Sequence, residues 1–553
     1  MLRKIKRFMS ILMAVVMITT ITDAAVPIRA AAMDDADDTV IEKVKSDIKD
    51  DKSEIKSDIE NVIDEGEAEE NNYSESSGIE ESNTKSLENN DESEEKDVDN
   101  SKNEVVLLDT LTYGQLTYTA YNNQVTITGC DKSATSVVIP AQIDGMEVVA
   151  IGNQAFAECR ALEELIIPDG VKSLGFSIIR NTAISSITIP KTVTSSEKAS
   201  DDYSGALSGC ESLREVRFED GMTAIPADIC SNCSNLTNIE IPKGVTNIGD
   251  RAFNGCKLLK ELVIPEGVKS LGCVIIGGTS ISSITVPKTV INAGYPEYGY
   301  SYNNVFSYCY TLKEIKFEDG ITTIPPGMCA VDDRRNQLEK VYIPSTVISI
   351  GSGAFYGCDK LTNIEIPEGV TNIGDYAFSG CSGLTNIEIP EGITNIGDGV
   401  FYGCNNLINI EIPEGVTNIG DYAFQGCSGL TNIEIPKGVI NIGESAFQRC
   451  SNLTNIEISE GVSSIGDAAF GSCSSLKELV LPDGVKSLGA GIISWTPISS
   501  IIIPKTVIQS NDSQYRGGAL SNCNTLKEVK FEDGMTTIPA SICASSYIEK
   551  VYI

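Results

Sequence analysis

Histidine is absent from the 553-residue chain, and tryptophan occurs only once. Without histidine the chain cannot form a Ser-His-Asp triad, a Cys-His nucleophile pair or a His-ligated metal site. No glycine loop of the phosphate-cradling type is present in the sequence. Paired carboxylates would remain for a histidine-free glycosidase, but here the acids recur in regular columns. The sequence therefore predicts a protein that is not an enzyme and that uses no cofactor and no metal.

Apolar runs long enough to cross a bilayer are lacking. The run from Ile11 to Ile21 is too short to span comfortably, and it follows a basic stretch (Arg3 to Arg7), which is the pattern of a secretory signal peptide. Small residues suitable for cleavage lie at Ala24 and at 30–32, and the first cysteine is Cys130, far from the cut. We predict a signal peptide at 1–32 and an exported mature chain, secreted or attached to the cell surface, without a membrane span.

Aromatic side chains are nearly absent from residues 33–104, which hold 27 Asp/Glu, 8 Lys/Arg and a single aromatic, Tyr73. Such a segment buries too little apolar surface to offset its chain entropy, so it is predicted to be a disordered acidic spacer. Within it, apolar residues at 40–63 fall roughly on one helical stripe. This stretch is either a frayed, charge-rich helix or a partner-binding amphipathic helix.

The dominant feature of the chain is a repeat. "LTNIEIPEGVTNIGDYAFSGCSG" (361–383) returns almost unchanged at 384, 407, 430 and 453. Alignment on the leading aliphatic residue gives about 18 units of 22–31 residues over 134–553. The units start at 134, 162, 184, 213, 236, 259, 281, 312, 338, 361, 384, 407, 430, 453, 476, 498, 526 and 548. No unit can bury its apolar residues alone, so stacking into a solenoid is predicted.

Each unit predicts two short extended pieces followed by one helical turn. Pro367 and Gly369 fit the tight turn between the extended pieces, and Asp375 is placed to cap the helical turn. Ahead of the array, "QLTYTAYNNQVTITGC" (115–130) alternates with period two around Asn122-Asn123 and predicts a hairpin. We interpret residues 105–133 as a cap that covers the open edge of the first coil.

The motif L-x-x-I-x-I-P-x-G-V-x-x-I-G-x-x-A-F-x-x-C resembles the BspA-like leucine-rich repeat of exported and surface proteins. The resemblance covers about three quarters of the chain and implies a mainly β, right-handed leucine-rich-repeat solenoid with a parallel sheet on one face. It also implies adhesion to proteins, cells or other microbes, and it supplies no catalytic residues.

Some units are grouped in triplets. "LEELIIPDGVKSLG" at 162, "LKELVIPEGVKSLG" at 259 and "LKELVLPDGVKSLG" at 476 each precede an "ISSI" unit and a "FEDG" unit. The last unit starts at Ile548 and stops before its proline, so either the sequence is a fragment or something else covers the last strand.

The 17 cysteines follow the repeat, and twelve of them lie three residues before a unit start. "CSNC" (230–233) fits the same register, because Cys233 holds the cysteine column and Cys230 takes the place of the core Phe. Buried structural cysteine is therefore preferred over zinc or redox use, and unpaired thiols are preferred over disulfides. Trp495 also falls three residues before a unit start and is predicted to pack in that column.

Glutamates form an outward column in five successive units, at Glu365, Glu388, Glu411, Glu434 and Glu457. We call this column the acidic strip. Its position alternates with buried Ile, so the carboxylates should face solvent about 5 Å apart, where they repel modestly. The strip is either a solvated result of unit duplication or a binding surface for a cationic protein patch or calcium.

A second candidate is the tyrosine-rich insert in the unit that starts at 281, "YPEYGYSYNNVFSYCY" (295–310). Tyrosine supplies large contact area at low entropic cost, which suits protein or glycan recognition. The insert is either a binding loop or an idle insertion, with Phe306 and Tyr308 filling core slots. Its candidate contact residues are Tyr295, Tyr298, Tyr300 and Tyr302.

Identical outward columns suit extended, multivalent contact better than a single catalytic site. The functional hypothesis is an exported solenoid that binds an extracellular protein or glycan, with no nucleic acid partner. The alternative is a structural surface or spacer protein without a specific ligand.

Overall fold

The computed structural model describes residues 109–198, 205–294, 304–331, 335–511, 517–544 and 547–553. These residues belong to one structural unit, which spans 103–553. The predicted signal peptide (1–32) and acidic spacer (33–104) lie outside the described residues.

An antiparallel hairpin begins the described chain. Its strands are β1 (Leu111–Tyr113), β2 (Leu116–Tyr121) and β3 (Gln124–Cys130). Asn122 and Asn123 join β2 to β3 with φ angles of 50° and 61°, as the favoured two-residue hairpin turn requires. β3 then pairs in parallel with β6 (Met146–Ile151), which is also the antiparallel partner of β5 (Gln142–Ile143). The hairpin therefore pairs with the edge of the first coil, in the position that a cap requires.

The predicted solenoid is confirmed, because strands of successive coils pair in parallel ladders. The first ladder uses the leading strand of each coil and contains β4 (Ser136–Val138), β7 (Glu164–Ile166), β9 (Ser186–Ile189), β11 (Glu215–Phe218), β13 (Asn238–Glu240), β16 (Ser283–Val286), β18 (Glu314–Phe317), β20 (Lys340–Tyr342), β25 (Asn432–Ile435), β27 (Asn455–Ile458), β30 (Ser500–Ile503), β32 (Glu528–Phe531) and β33 (Lys550–Tyr552).

The second ladder continues from β6 along another side of each coil. It contains β8 (Ser173–Leu174), β10 (Ser195–Ser196), β12 (Ala224–Ile225), β14 (Asn247–Ile248), β15 (Ser270–Leu271), β17 (Asn292–Ala293), β19 (Thr323–Ile324), β21 (Ser349–Ile350), β22 (Asn372–Ile373), β23 (Asn395–Ile396), β24 (Asn418–Ile419), β26 (Asn441–Ile442), β28 (Ser464–Ile465), β29 (Ser487–Leu488) and β31 (Gln509–Ser510). The implied sheet on one face is thus accompanied by a second parallel ladder.

Pairing in the first ladder is discontinuous, although stacking suggests that every strand would pair. Residues 361–412 contain no first-ladder strand and show a single bridge, between Asn386 and Asn409. The coils there still touch, since the Thr385 amide donates to the Thr362 carbonyl at 3.2 Å. The second ladder has a strand in each of these coils, β22, β23 and β24, with β23 paired to β24 and β22 paired to β21 of the coil before. Apolar stacking, which does not depend on each ladder hydrogen bond, maintains the repeat there.

The helical turn predicted after the second strand was wrong: the described residues contain no helix, and hence none long and apolar enough to cross a membrane. Tyr376 adopts a φ of 56°, which is left-handed rather than helical. Its amide donates to the carbonyl of Asp398 in the next coil, at 2.8 Å, whereas the Ala377 amide donates within its own turn to Gly374. Because alternate amides point to the neighbouring coil, the segment stacks instead of coiling on itself.

The core is built from columns of identical side chains. Six phenylalanines stack along the central coils with ring centroids 5.1 to 5.8 Å apart. All six are buried, as are the leucine and cysteine columns beside them. The stacked phenylalanines are Phe355, Phe378, Phe401, Phe424, Phe447 and Phe470.

Candidate functional site

The acidic strip lies where the sequence pattern predicts, on the outward face of the leading strands. All five glutamates are exposed, while the flanking Ile387 and Ile389 of the coil at 384 are buried. Where the strands pair, Glu434 and Glu457 lie directly opposite each other in register. Strands in a ladder are about 4.8 Å apart, so each carboxylate has a like charge as its nearest neighbour along the column.

A groove of about 1060 Å³ runs over this face. Its lining includes four strip residues and a parallel column of asparagines, two residues earlier in each coil. A second row of glutamates, from the turn after the proline, completes the groove at Glu368, Glu391 and Glu414. The groove therefore offers carboxylates as hydrogen-bond acceptors, and side-chain amides that both donate and accept.

The charge of the strip is not compensated. Within the described part of the chain, none of the five strip glutamates forms an ion pair. The triplets differ, since Lys191 bridges Asp169 and Glu219 at 3.1 and 3.2 Å. Lys505 likewise pairs with Glu532 at 3.1 Å. The five strip glutamates are therefore free to interact with an external cation.

Apolar side chains flank the strip on the same outward column, a feature that sequence reasoning missed. Tyr342 precedes the strip and is 48% exposed, and Val480 follows it and is 66% exposed. Ile502, also exposed, and Val480 line a further groove of about 530 Å³ together with Tyr552. Tyr342 and Val480 occupy the fifth position of the units that adjoin the five strip units, so the sequence alone could have revealed them. We call them the apolar margin of the strip.

The four tyrosines of the insert, Tyr295, Tyr298, Tyr300 and Tyr302, lie outside the described residues. Downstream of them, Phe306 is buried in the core and Tyr308 is 37% exposed. Tyr308 packs edge-on against Tyr310 at 6.4 Å, and the Arg335 guanidinium lies 4.3 Å from the Tyr310 ring centre. Of the two residues proposed to fill core slots, Phe306 does so and Tyr308 does not.

Trp495 is not packed in the cysteine column, so that prediction was wrong. The indole is 59% exposed, and the column position is filled by the buried Thr496. Trp495 instead takes the place held by Gly380 in the central coils: both have positive φ and both amides donate to the next coil. The unit at 476 is one residue shorter between this turn and the next unit start, so counting back from Ile498 gave the wrong column.

The cysteines are free thiols in the described structure, and all but Cys543 are buried. Cys230 and Cys233 are both core residues. In the central coils each thiol donates to a backbone carbonyl of the preceding coil, as from Cys427 to Phe401 at 3.1 Å. Burial raises the pKa of Cys427 to about 12. Nowhere in the described ranges do three or more Cys, Asp or Glu side chains cluster closely enough to hold a metal ion, the acidic strip included.

Comparison with solved structures places the fold among bacterial repeat proteins. A leucine-rich repeat protein from Bacteroides ovatus is 24% identical, with a TM-score of 0.50, over 80% of this chain and 100% of that one. A leucine rich cell surface protein from Faecalibacterium prausnitzii is 22% identical, with a TM-score of 0.35, over 79% and 97% of the two chains. No curated protein sequence matches the chain.

The repeat itself matches a family model, the BspA type leucine rich repeat region, in six copies. The copies cover residues 128–200, 203–302, 296–331, 333–454, 400–518 and 440–553. Together they span well over half of the chain and coincide with the stacked coils. The chain therefore belongs to the family of BspA-type leucine-rich-repeat proteins.

Proposed function

We propose that the chain is a non-catalytic binding protein whose acidic strip docks a cationic patch on an extracellular protein. The observation that carries the proposal is the column of five exposed, unpaired carboxylates in successive coils. Such a column adds nothing to stability, because like charges directly opposite each other are unfavourable. A partner with lysine or arginine at matching intervals removes that repulsion and adds charge-assisted hydrogen bonds.

The surroundings of the strip favour a protein ligand over a small cation. Tyr342 and Val480 place exposed apolar surface at either end of the column, as a protein interface requires beside its polar contacts. The absence of a metal-holding cluster in the described chain gives calcium no defined site there. Repetition also makes the contact multivalent, so modest attraction at each coil sums along the partner.

Export is part of the same proposal. It rests on the basic and apolar pattern of residues 1–32, which has the form of a secretory signal peptide. An extracellular location would bring the strip into contact with soluble or surface-bound ligands, and the acidic segment at 33–104 would act as a solvated spacer.

The tyrosine-rich insert is proposed as a second contact region, for protein or glycan. Its support is chemical, since Tyr295, Tyr298, Tyr300 and Tyr302 are concentrated in eight residues that interrupt the repeat. The adjoining described residues already form an aromatic and cationic group, with Tyr308, Tyr310 and Arg335 in contact. Replacing the four tyrosines by Ser tests this region separately from the strip.

The strip is tested with a short poly-L-lysine peptide as the probe, titrated onto the immobilised protein at several salt concentrations. One variant changes all five strip glutamates to Gln. A control variant removes five exposed acidic charges from the triplets, with Asp→Asn or Glu→Gln at Glu163, Asp220, Glu261, Asp319 and Asp533.

We expect the strip variant to bind at least tenfold more weakly, or about 1.4 kcal/mol, and the control to stay close to the unmodified protein. Binding of the peptide to the unmodified protein should also weaken as the salt concentration rises, because salt screens the attraction between the carboxylates and the lysines. Equal losses in both variants would reduce the effect to net charge and refute a defined site. Undiminished binding by the strip variant would leave the spacer role as the better description.

A further inference from the structure

Two cysteines at the beginning of the array face each other. Cys130 is the last residue of β3 in the hairpin, and Cys159 lies in the first turn segment. Their sulfur atoms are 3.1 Å apart, and both side chains are buried. The contact therefore joins the hairpin to the first coil of the solenoid.

This arrangement differs from that of the central cysteine column. Cys381 donates its thiol hydrogen to the Phe355 carbonyl at 3.2 Å, and Cys427 donates to Phe401 in the same way. Those thiols donate to a backbone oxygen of the preceding coil, whereas the Cys130 thiol lies 3.1 Å from the Cys159 sulfur and 3.3 Å from the carbonyl oxygen of its neighbour Asp131. Cys130 belongs to the hairpin and lies ahead of the first repeat unit, so its contact with Cys159 is not set by the register of the repeat.

We propose that Cys130 and Cys159 form a disulfide that fastens the hairpin to the first coil when the protein folds in the presence of a small-molecule disulfide. The Cys130 thiolate attacks one sulfur of that oxidant and releases a thiolate, which leaves a mixed disulfide. The Cys159 thiolate then attacks Cys130 sulfur and displaces the second thiolate. The protein loses two electrons and two protons, and the oxidant becomes two thiols.

Lys132 lies beside the pair in the folded protein. Its ammonium nitrogen lies 3.8 Å from the Cys159 sulfur and donates to the Ala157 carbonyl. In the folded protein, burial and the contact with Cys159 raise the pKa of Cys130 to about 12, although Lys132 lowers it in part. The thiol–disulfide exchange therefore takes place while the chain folds, before the two cysteines are buried.

The bond would protect the outermost element of the array. Terminal coils of a solenoid have a neighbour on one side only, so they open more readily than internal coils. The hairpin pairs with the array through β3 and β6. A link between Cys130 and Cys159 closes the intervening loop in the unfolded chain as well, which lowers the entropy gained by opening.

To test this, the full-length chain is refolded in a buffer of reduced and oxidised glutathione. The refolded protein is then denatured and alkylated without reductant. Peptide mapping should recover a cross-linked species that contains Cys130 and Cys159, with two fewer alkylated thiols than the 17 cysteines of the chain. Cys130→Ser and Cys159→Ser should each abolish the cross-link, and Cys427→Ser should leave it intact. A hydrogen-exchange comparison should show faster exchange in β2 and β3 after reduction.

Recovery of all 17 cysteines as alkylated thiols after oxidative refolding would overturn the proposal. So would a cross-link that joins other cysteines while Cys130 and Cys159 remain alkylated. A Ser variant can lower the folding yield. The peptide map of the unmodified protein is therefore sufficient by itself to show whether the Cys130–Cys159 disulfide forms. The result is independent of the acidic strip, so it stands or falls separately from the proposed binding function.

Discussion

The carboxylate of Asp398 accepts a hydrogen bond from the backbone amide of Asp421 in the next coil, at 2.9 Å. The same bond recurs in neighbouring coils: the Asp398 amide donates to the Asp375 carboxylate at 3.0 Å, and the Glu444 amide donates to the Asp421 carboxylate. The carboxylate expected to cap a helical turn is thus directed to the neighbouring coil. It forms a polar ladder that fixes the register of stacking.

Asp398→Ala should destabilise the array by about 0.5–1.5 kcal/mol, because the Asp421 amide loses its side-chain acceptor. Asp398→Asn should cost much less, since the amide oxygen can still accept. Partial burial and the carboxylates of Asp375 and Asp421 hold the pKa of Asp398 above its usual range, so a neutral replacement also relieves repulsion. Urea unfolding of both variants measures the difference, and equal losses would show that the hydrogen bond is unimportant.

Gly443→Ala should destabilise the protein by about 1–3 kcal/mol through overpacking. A Cβ at that position would lie 2.5 Å from the carbonyl carbon of Gly420 and 2.6 Å from the Asp421 nitrogen, both backbone atoms of the preceding coil. Gly415→Ala is the matched control, because its Cβ would meet nothing closer than 3.5 Å. Thermal unfolding should separate the two variants. A larger loss for Gly415→Ala would contradict the close-stacking account.

The free energy of unfolding should fall as pH rises above about 9. Burial raises the pKa of Cys427 and Cys473 to about 12, compared with about 8.5 for an exposed thiol. The folded chain holds these protons more tightly, so their contribution is complete below about pH 8.5 and decreases between that pH and about 12.

Urea unfolding between pH 7 and pH 10.5 measures this decline. A double variant, Cys427→Ala with Cys473→Ala, should be less stable at pH 7 but should lose stability less steeply with pH. The same slope in both proteins would assign the decline to other groups.

The fluorescence of Trp495 should be that of a solvent-exposed indole in the native protein. Because it is the single tryptophan and is 59% exposed, acrylamide should quench its fluorescence nearly as efficiently before unfolding as after. Trp495→Ser should accordingly change the thermal midpoint little. Strong native protection from quenching, together with a large loss of stability in the variant, would place the indole in the core.

Most of the fold could be predicted from the periodicity of the sequence, because each coil of a solenoid repeats the inward-facing positions of the previous coil. The burial of Ile387 and the exposure of Glu388 follow from alternation along one strand. The hairpin around Asn122-Asn123 is also local, since those residues readily adopt positive φ. In these cases the determinants lie within a few residues.

The errors arose where the determinant lies in another coil. Tyr376 leaves the helical conformation because its amide partner is Asp398, which local pattern does not show. A one-residue deletion moved Trp495 out of the column in which it was counted. For the acidic strip, sequence located the carboxylates, whereas their lack of ion pairs and the adjoining apolar margin depend on side chains from separate units.

Reversing the charge of the acidic strip is the sharpest test of whether it is a binding surface. A variant with Lys in place of all five strip glutamates should lose poly-L-lysine binding and gain poly-L-glutamate binding, with the same reversal at five exposed triplet acids as the control. Circular dichroism should confirm that both variants are folded. Only the strip variant should exchange its preference between the two peptides, with each affinity changing by tenfold or more. The same exchange in both variants, or in neither, would show that the strip is not a defined binding surface.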